Sequence, residues 1–100
     1  MLRKDEIKSA IIPVLKKFGV ARASLFGSFA RGYQNEESDV DIIIEFEHPE
    51  SRSLLDLVAI EQEISELLDR KTDVLTVNSI HPLIKESVMT DMEVFYEQPF

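Results

Sequence analysis

The stretch Gly27–Phe46, which reads GSFARGYQNEESDVDIIIEF, decides the fold of this chain. Its second half, from Val40 to Phe46, alternates in side-chain character and is the clearest strand of the sequence. Asp39 and Asp41 stand at the entrance of this strand, where a period of two puts both carboxylates on one face, with Cα atoms roughly 6.6 Å apart. Two hard anionic ligands on one face suit one or two Mg²⁺ ions, with phosphate oxygens and water completing the shell. By itself such a pair is more often an exposed acidic strand entrance that limits edge pairing.

The first half of the stretch is a turn bounded by glycines. A short strand candidate over residues 21–26 ends at Gly27, and Ser28 to Gly32 is predicted to form one helical turn. Such a turn presents unpaired backbone N–H groups, the glycine lets a phosphate approach closely, and the Ser28 hydroxyl adds a donor. A plain Gly-Ser turn with a serine N-cap is the alternative. If the flanking strands are antiparallel, this turn and the carboxylates meet at one end of the sheet.

The sequence on either side predicts three helices and two further strands. Helices are expected at residues 4–18, 53–69 and 82–90, and strands at 71–77 and 93–96. In the first helix Pro13 predicts a kink or a late start, and Gly19 is expected just beyond its end. The resulting order predicts an α/β or α+β fold, a small mixed β-sheet flanked by helices, and 100 residues fit one domain.

A third acid, Asp73, begins the strand predicted at 71–77. A parallel pairing of that strand with the one starting at Val40 would place Asp73 beside Asp39 and Asp41. The alternative is a turn residue between a helix and a strand. The three acids together are therefore the candidate metal ligands and catalytic residues.

Composition excludes several classes of protein. There are 19 acidic and 11 basic residues, giving a formal net charge of −8, which argues against direct, non-specific nucleic-acid binding. The chain has no cysteine, so disulfide frameworks and thiolate zinc sites are excluded. Its apolar runs are too short to span a membrane and its charged N-terminus does not fit a signal peptide. We therefore expect a cytoplasmic protein with no membrane partner.

The pattern GSFARGYQNEESDVDIIIEF resembles the signature of the DNA polymerase β-type nucleotidyltransferases, and more narrowly that of the minimal MNT-type nucleotidyltransferases of bacteria and archaea. The resemblance runs from the helix before Ala21 to the strand at Val77 and implies a single nucleotidyltransferase domain over residues 1–100. It implies that Gly27 and Ser28 hold the nucleoside triphosphate. Arg31 would contact phosphate or pair with a local acid.

The same resemblance assigns chemistry to the acids. Asp39, Asp41 and Asp73 would bind metal, with two Mg²⁺ ions expected during turnover, and Asp73 would also act as a base toward the acceptor hydroxyl. ATP would be the substrate. Minimal MNT proteins are paired with HEPN-domain ribonuclease toxins, so the resemblance implies an antitoxin that forms a hetero-oligomer with such a toxin and transfers AMP to one of its tyrosines.

Two other functions stay open from the residues alone. The chain can neutralise a partner by binding without catalysis, and Phe95, Tyr96 and Phe100 are the exposed aromatic residues expected to contribute to such a surface. A place in the core is the alternative for Phe95. It can also be an adenylyltransferase acting on a small molecule. Activity without a partner protein would favour the latter.

Overall fold

The structure, a computed structural model, describes residues 3–27 and 39–98. Within these ranges the helices and strands follow the predicted order. They are α1 (Lys4–Lys17), β1 (Val20–Phe26), β2 (Val40–Phe46), α2 (Leu54–Leu68), β3 (Thr72–Thr76), α3 (Pro82–Asp91) and β4 (Glu93–Glu97). Short 3₁₀ turns cover Pro49–Ser51 and Val77–Ser79. The helical turn and loop predicted within residues 28–38 lie outside the described residues.

The strands form one mixed sheet in the order β3-β2-β1-β4. Strand β1 pairs antiparallel with both β2 and β4, whereas β2 and β3 are parallel and are joined by the α2 crossover. The end of β1 therefore lies at the same edge as the starts of β2 and β3. The prediction of a small mixed sheet flanked by helices is confirmed, and this topology brings the candidate site together.

The hydrophobic core lies between one face of the sheet and the helices α1 and α2. Both helices are amphipathic, and their apolar stripes pack against each other and against β1 and β3. The fully buried large side chains of this core are Ile7, Ile11, Leu15, Val20, Leu25, Val40, Ile42, Ile44, Ile60 and Ile64. Burial of the alternate residues of β2 fixes its register, since a slip by one residue would bring Asp41 into the core.

Helix α1 begins at Lys4 and contains Pro13, so the predicted late start is wrong. Pro13 lacks the N–H that would bond to Ser9, but the neighbouring side chains of Ile11 and Val14 are buried and hold the helix against the sheet. The helix ends as predicted, with Gly19 at φ +70° just after the C-cap residue.

The other helices and the last strands refine the predicted boundaries. Ser53 caps α2, accepting a hydrogen bond from the Leu55 N–H while Asp56 accepts one from the Ser53 N–H, which together form a capping box. The third strand ends at Thr76 because a 3₁₀ turn starts at Val77.

The C-terminal aromatic residues differ from the expectation of an exposed binding surface. Phe95 and Tyr96 are partly buried and pack against the core, so exposure is wrong for Tyr96, whereas for Phe95 the alternative of a core residue is confirmed. The reason is the pairing of β4 with β1, which adds the strand to the edge of the sheet. Phe100 lies outside the described residues.

None of the helices within residues 3–27 and 39–98 has the length and apolar character needed to span a membrane.

Candidate active site

Two of the predicted acids lie side by side on adjacent parallel strands. Asp41 of β2 is in register with Asp73 of β3, so that both side chains project from the same face of the sheet. Their carboxyl groups are joined by a hydrogen bond. Asp39, just before β2, acts on Asp41 through its negative charge. The parallel pairing on which the prediction depended is therefore present.

Gly27 lies directly against Asp41, one of this pair of acids. Its neighbour Phe26 pairs with Asp41, and Gly27 adopts φ +71°, a left-handed conformation that favours glycine. A Cβ atom at this position would stand 2.6 Å from Oδ2 of Asp41. The glycine therefore leaves room for the carboxylate, and the end of β1 and the acids meet at one edge. Ser28 and Arg31, the other predicted nucleotide-binding residues, lie outside the described residues.

The carboxylates carry more negative charge than their surroundings neutralise. The pKa of Asp41 is raised from 3.8 to about 6, first because the side chain is half-buried and then because of the charges of Asp73 and Asp39. Lys71 opposes this shift without cancelling it. Raised pKa values caused by burial and like charges are typical of functional sites, and a bound cation would relieve the repulsion.

Two charged residues near the acids were not among the predicted site residues. The ammonium nitrogen of Lys71 lies 3.8 Å from Oδ2 of Asp39. Glu61 of α2 has a raised pKa, caused by burial and then by the charge of Asp73. Lys71 is two residues before Asp73, and this short spacing in the sequence indicates that it lies near the site. Nothing in the sequence indicates that Glu61 approaches the site.

The acids fit a divalent cation that is also held by other ligands. Within residues 3–27 and 39–98, no three His, Asp or Glu side chains stand at the spacing of a complete metal site. The donors of Asp39, Asp41 and Asp73 are hard carboxylate oxygens, which Mg²⁺ prefers, and Mg²⁺ commonly takes one or two carboxylates and completes its shell with phosphate and water. The excess negative charge of these carboxylates at this edge of the sheet therefore suits a divalent cation.

Known proteins with similar sequences share this region. The nucleotidyltransferase domain family matches residues 8–94. A relative from Methanocaldococcus jannaschii, which bears the name "putative protein adenylyltransferase", is 54% identical over 87 residues, which are 87% of this chain and 91% of the relative. The protein adenylyltransferase MntA of Thermococcus cleftensis is 34% identical over 96 residues, covering 92% of this chain and 95% of MntA.

Solved structures share the fold. A toxin–antitoxin crystal structure with AMP-PNP superposes with a TM-score of 0.77 at 22% identity, covering 91% of this chain and 73% of the matched chain. A structure of a tri-AMPylated Shewanella oneidensis HEPN toxin in complex with MNT antitoxin superposes with a TM-score of 0.73 at 18% identity, covering 95% and 73%.

At these identities the two superpositions establish the fold alone, whereas the family match spans most of the chain and includes Gly27, all three acids and Lys71. The resemblance seen in the GSFARGYQNEESDVDIIIEF segment is thereby confirmed. The chain belongs to the nucleotidyltransferase domain family and is a nucleotidyltransferase of the minimal MNT type.

Proposed function

We propose that this protein transfers AMP from ATP to a hydroxyl group, a tyrosine by the family resemblance, of a partner HEPN-domain toxin, and thereby acts as its antitoxin. The observation that carries the proposal is the in-register pair Asp41 and Asp73 beside Gly27. This arrangement suits a site where a triphosphate and an acceptor hydroxyl meet. The names of the protein adenylyltransferase relatives and the AMPylated toxin complex support the same reaction.

In the proposed reaction the acceptor oxygen bonds to the α-phosphorus of ATP, the bond to the β-phosphate breaks, and pyrophosphate leaves. Asp73 takes the proton of the acceptor hydroxyl, and Asp39 and Asp41 would hold Mg²⁺. Bound Mg²⁺ would neutralise the charge of the triphosphate and of the leaving group. Gly27 keeps the end of β1 free of a side chain where the phosphates approach. The protein thus acts by positioning and charge neutralisation, and no side chain becomes a covalent nucleophile.

Exposed apolar side chains favour a partner protein as the source of the acceptor. Leu54 and Leu55 at the start of α2 are 77% and 79% exposed, and Leu83 of α3 is 88% exposed. Contiguous exposed apolar side chains mark surfaces that another protein covers, and Leu54 and Leu55 are neighbours in the chain. The same observation favours the second candidate function, an antitoxin that neutralises its partner by binding alone.

The test is incubation of the chain with ATP, Mg²⁺ and its HEPN-domain partner, followed by intact-mass spectrometry of the partner. We expect one or more AMP additions, and no addition when Asp39→Ala and Asp41→Ala are combined. A matched control combines Glu50→Ala with Glu86→Ala, two exposed acids away from the sheet edge, and should transfer AMP normally.

The outcomes separate the two functions. An unmodified partner in an intact complex with the unaltered chain would contradict the proposed transfer. If the double aspartate variant still silences the toxin fully, neutralisation by binding is sufficient. If AMP transfer and neutralisation are lost together, catalysis is the basis of the antitoxin activity.

A further inference from the structure

Lys71 combines a hydrogen-bonded backbone with an exposed charged group at the edge of the candidate site. Its carbonyl oxygen accepts a hydrogen bond of 3.0 Å from the N–H of Val40, the residue between Asp39 and Asp41. Its side chain is 70% exposed, and within residues 3–27 and 39–98 it forms a loose ion pair of 3.8 Å with Asp39. The ammonium group is therefore held near the acids but weakly bound to any one of them.

This position makes Lys71 a competitor for the carboxylates that a metal ion would use. A positive charge beside Asp39 lowers the affinity of the site for a second cation, and Lys71 also moderates the negative charge felt by Asp41 and Glu61. When a cation occupies the acids, the ammonium loses this partner. The flexible stem then leaves it free to meet a different anion close by.

We propose that Lys71 is a positioning residue that pairs with Asp39 in the empty site and moves to the triphosphate of the nucleotide when metal and nucleotide bind together. The inference rests on the proposed function, because it assumes that the acids and the end of β1 receive a metal-bound nucleoside triphosphate. It assigns the same side chain opposite effects on the two ligands. Lys71 opposes binding of the metal alone and favours binding of the metal with nucleotide.

The experiment measures these two affinities separately in the full chain. Mn²⁺ alone is titrated and free Mn²⁺ is followed by electron paramagnetic resonance. AMP-PNP is titrated in the presence of Mg²⁺ by isothermal calorimetry. For Lys71→Met we expect Mn²⁺ to bind about fivefold more tightly and AMP-PNP about fivefold more weakly, the effect of one partly exposed charge pair.

Control variants separate this role from structural damage and from net charge. Lys85→Met removes one positive charge from the exposed face of α3 and should leave both affinities within about twofold. Lys71→Arg keeps the charge and should restore both affinities toward the original values. If Lys71→Met weakens both ligands, the residue is structural, and if it changes neither, the ammonium does not act at the site; either result overturns the inference.

The two titrations, combined with the AMP-transfer test by intact mass, show which proposal fails. If the unaltered chain binds Mn²⁺ and AMP-PNP and transfers AMP, but Lys71→Met lacks the opposed changes, only the role of Lys71 is wrong. If the unaltered, folded chain binds neither ligand, the proposed function is contradicted and the inference falls with it.

Discussion

Replacing Asp41 by Asn should stabilise the metal-free protein while abolishing nucleotidyl transfer. In the folded protein the carboxyl of Asp41 is half-buried beside Asp73 and Asp39, and its pKa is raised from 3.8 to about 6. Asn has nearly the same shape and its amide can donate the hydrogen bond to Asp73, but it carries no charge. The substitution therefore removes a repulsion that the native site contains.

The raised pKa determines how this effect depends on pH. Between about pH 4 and pH 6 the folded state binds more protons than the unfolded state, so the free energy of unfolding falls as the pH rises through this range. A pKa difference of this size between the folded and unfolded states corresponds to about 3 kcal/mol of stability. Because Asp41 is partly exposed to solvent, which screens its charge, we expect Asp41→Asn to raise the free energy of unfolding by about 1 to 2 kcal/mol.

The assay is urea denaturation followed by circular dichroism, with EDTA present, at several pH values between 4 and 8. At pH 7.5 Asp41→Asn should exceed the unaltered protein in free energy of unfolding by this amount, and near pH 4 the difference should vanish. The control Asp5→Asn, at an exposed position in the first turn of α1, should change stability by a few tenths of a kcal/mol at most. With Mg²⁺ and ATP present, the stability difference between Asp41→Asn and the unaltered protein should shrink or change sign. Ligands that bind the folded state stabilise it, and the unaltered site is the one that binds them.

Two results would refute the reasoning about Asp41. One is a variant that is no more stable than the unaltered protein at pH 7.5 in EDTA. The other is a stabilisation that stays the same at pH 4, since a gain independent of pH would come from packing and not from the charge of the carboxylate.

Three further substitutions test other parts of the structure. Gly27→Ala should cost about 2 kcal/mol and most of the transferase activity, because φ is +71° and the new Cβ would collide with Asp41; unchanged urea midpoint and activity would contradict this. Ser53→Ala should lower the free energy of unfolding by about 1 kcal/mol through loss of the α2 cap while leaving nucleotide affinity intact, measured by urea denaturation and calorimetry. Glu93→Gln should cost about 0.5 kcal/mol at pH 7, since hydrogen bonds from Lys4 and Lys8 hold the pKa of Glu93 below its ordinary value. That stabilisation is present above the ordinary carboxyl pKa and disappears as the pH falls through the lowered one, so a loss that grows toward acid pH would contradict it.

The sequence by itself determined the order of the elements and the identity of the acids. Alternation from Val40 to Phe46, the helical stripe of Ile7, Ile11 and Leu15, and the Ser53 cap are local patterns, and each depends on residues close together in the chain. For this reason they could be predicted without coordinates. The placement of Asp39 and Asp41 on one face could also be predicted, because it depends only on the alternation of side chains along a single strand.

Only the tertiary structure decided which distant residues share the site. The parallel register of Asp41 with Asp73 and the approach of Gly27 depend on strand order, which is set by burial of the sheet against α1 and α2 and not by any local pattern. The charge of Asp73 acts on Glu61 because α2 crosses from β2 to β3, and this too is a long-range consequence. Side chains far apart in sequence become neighbours only through packing, and packing also creates the raised pKa of Asp41.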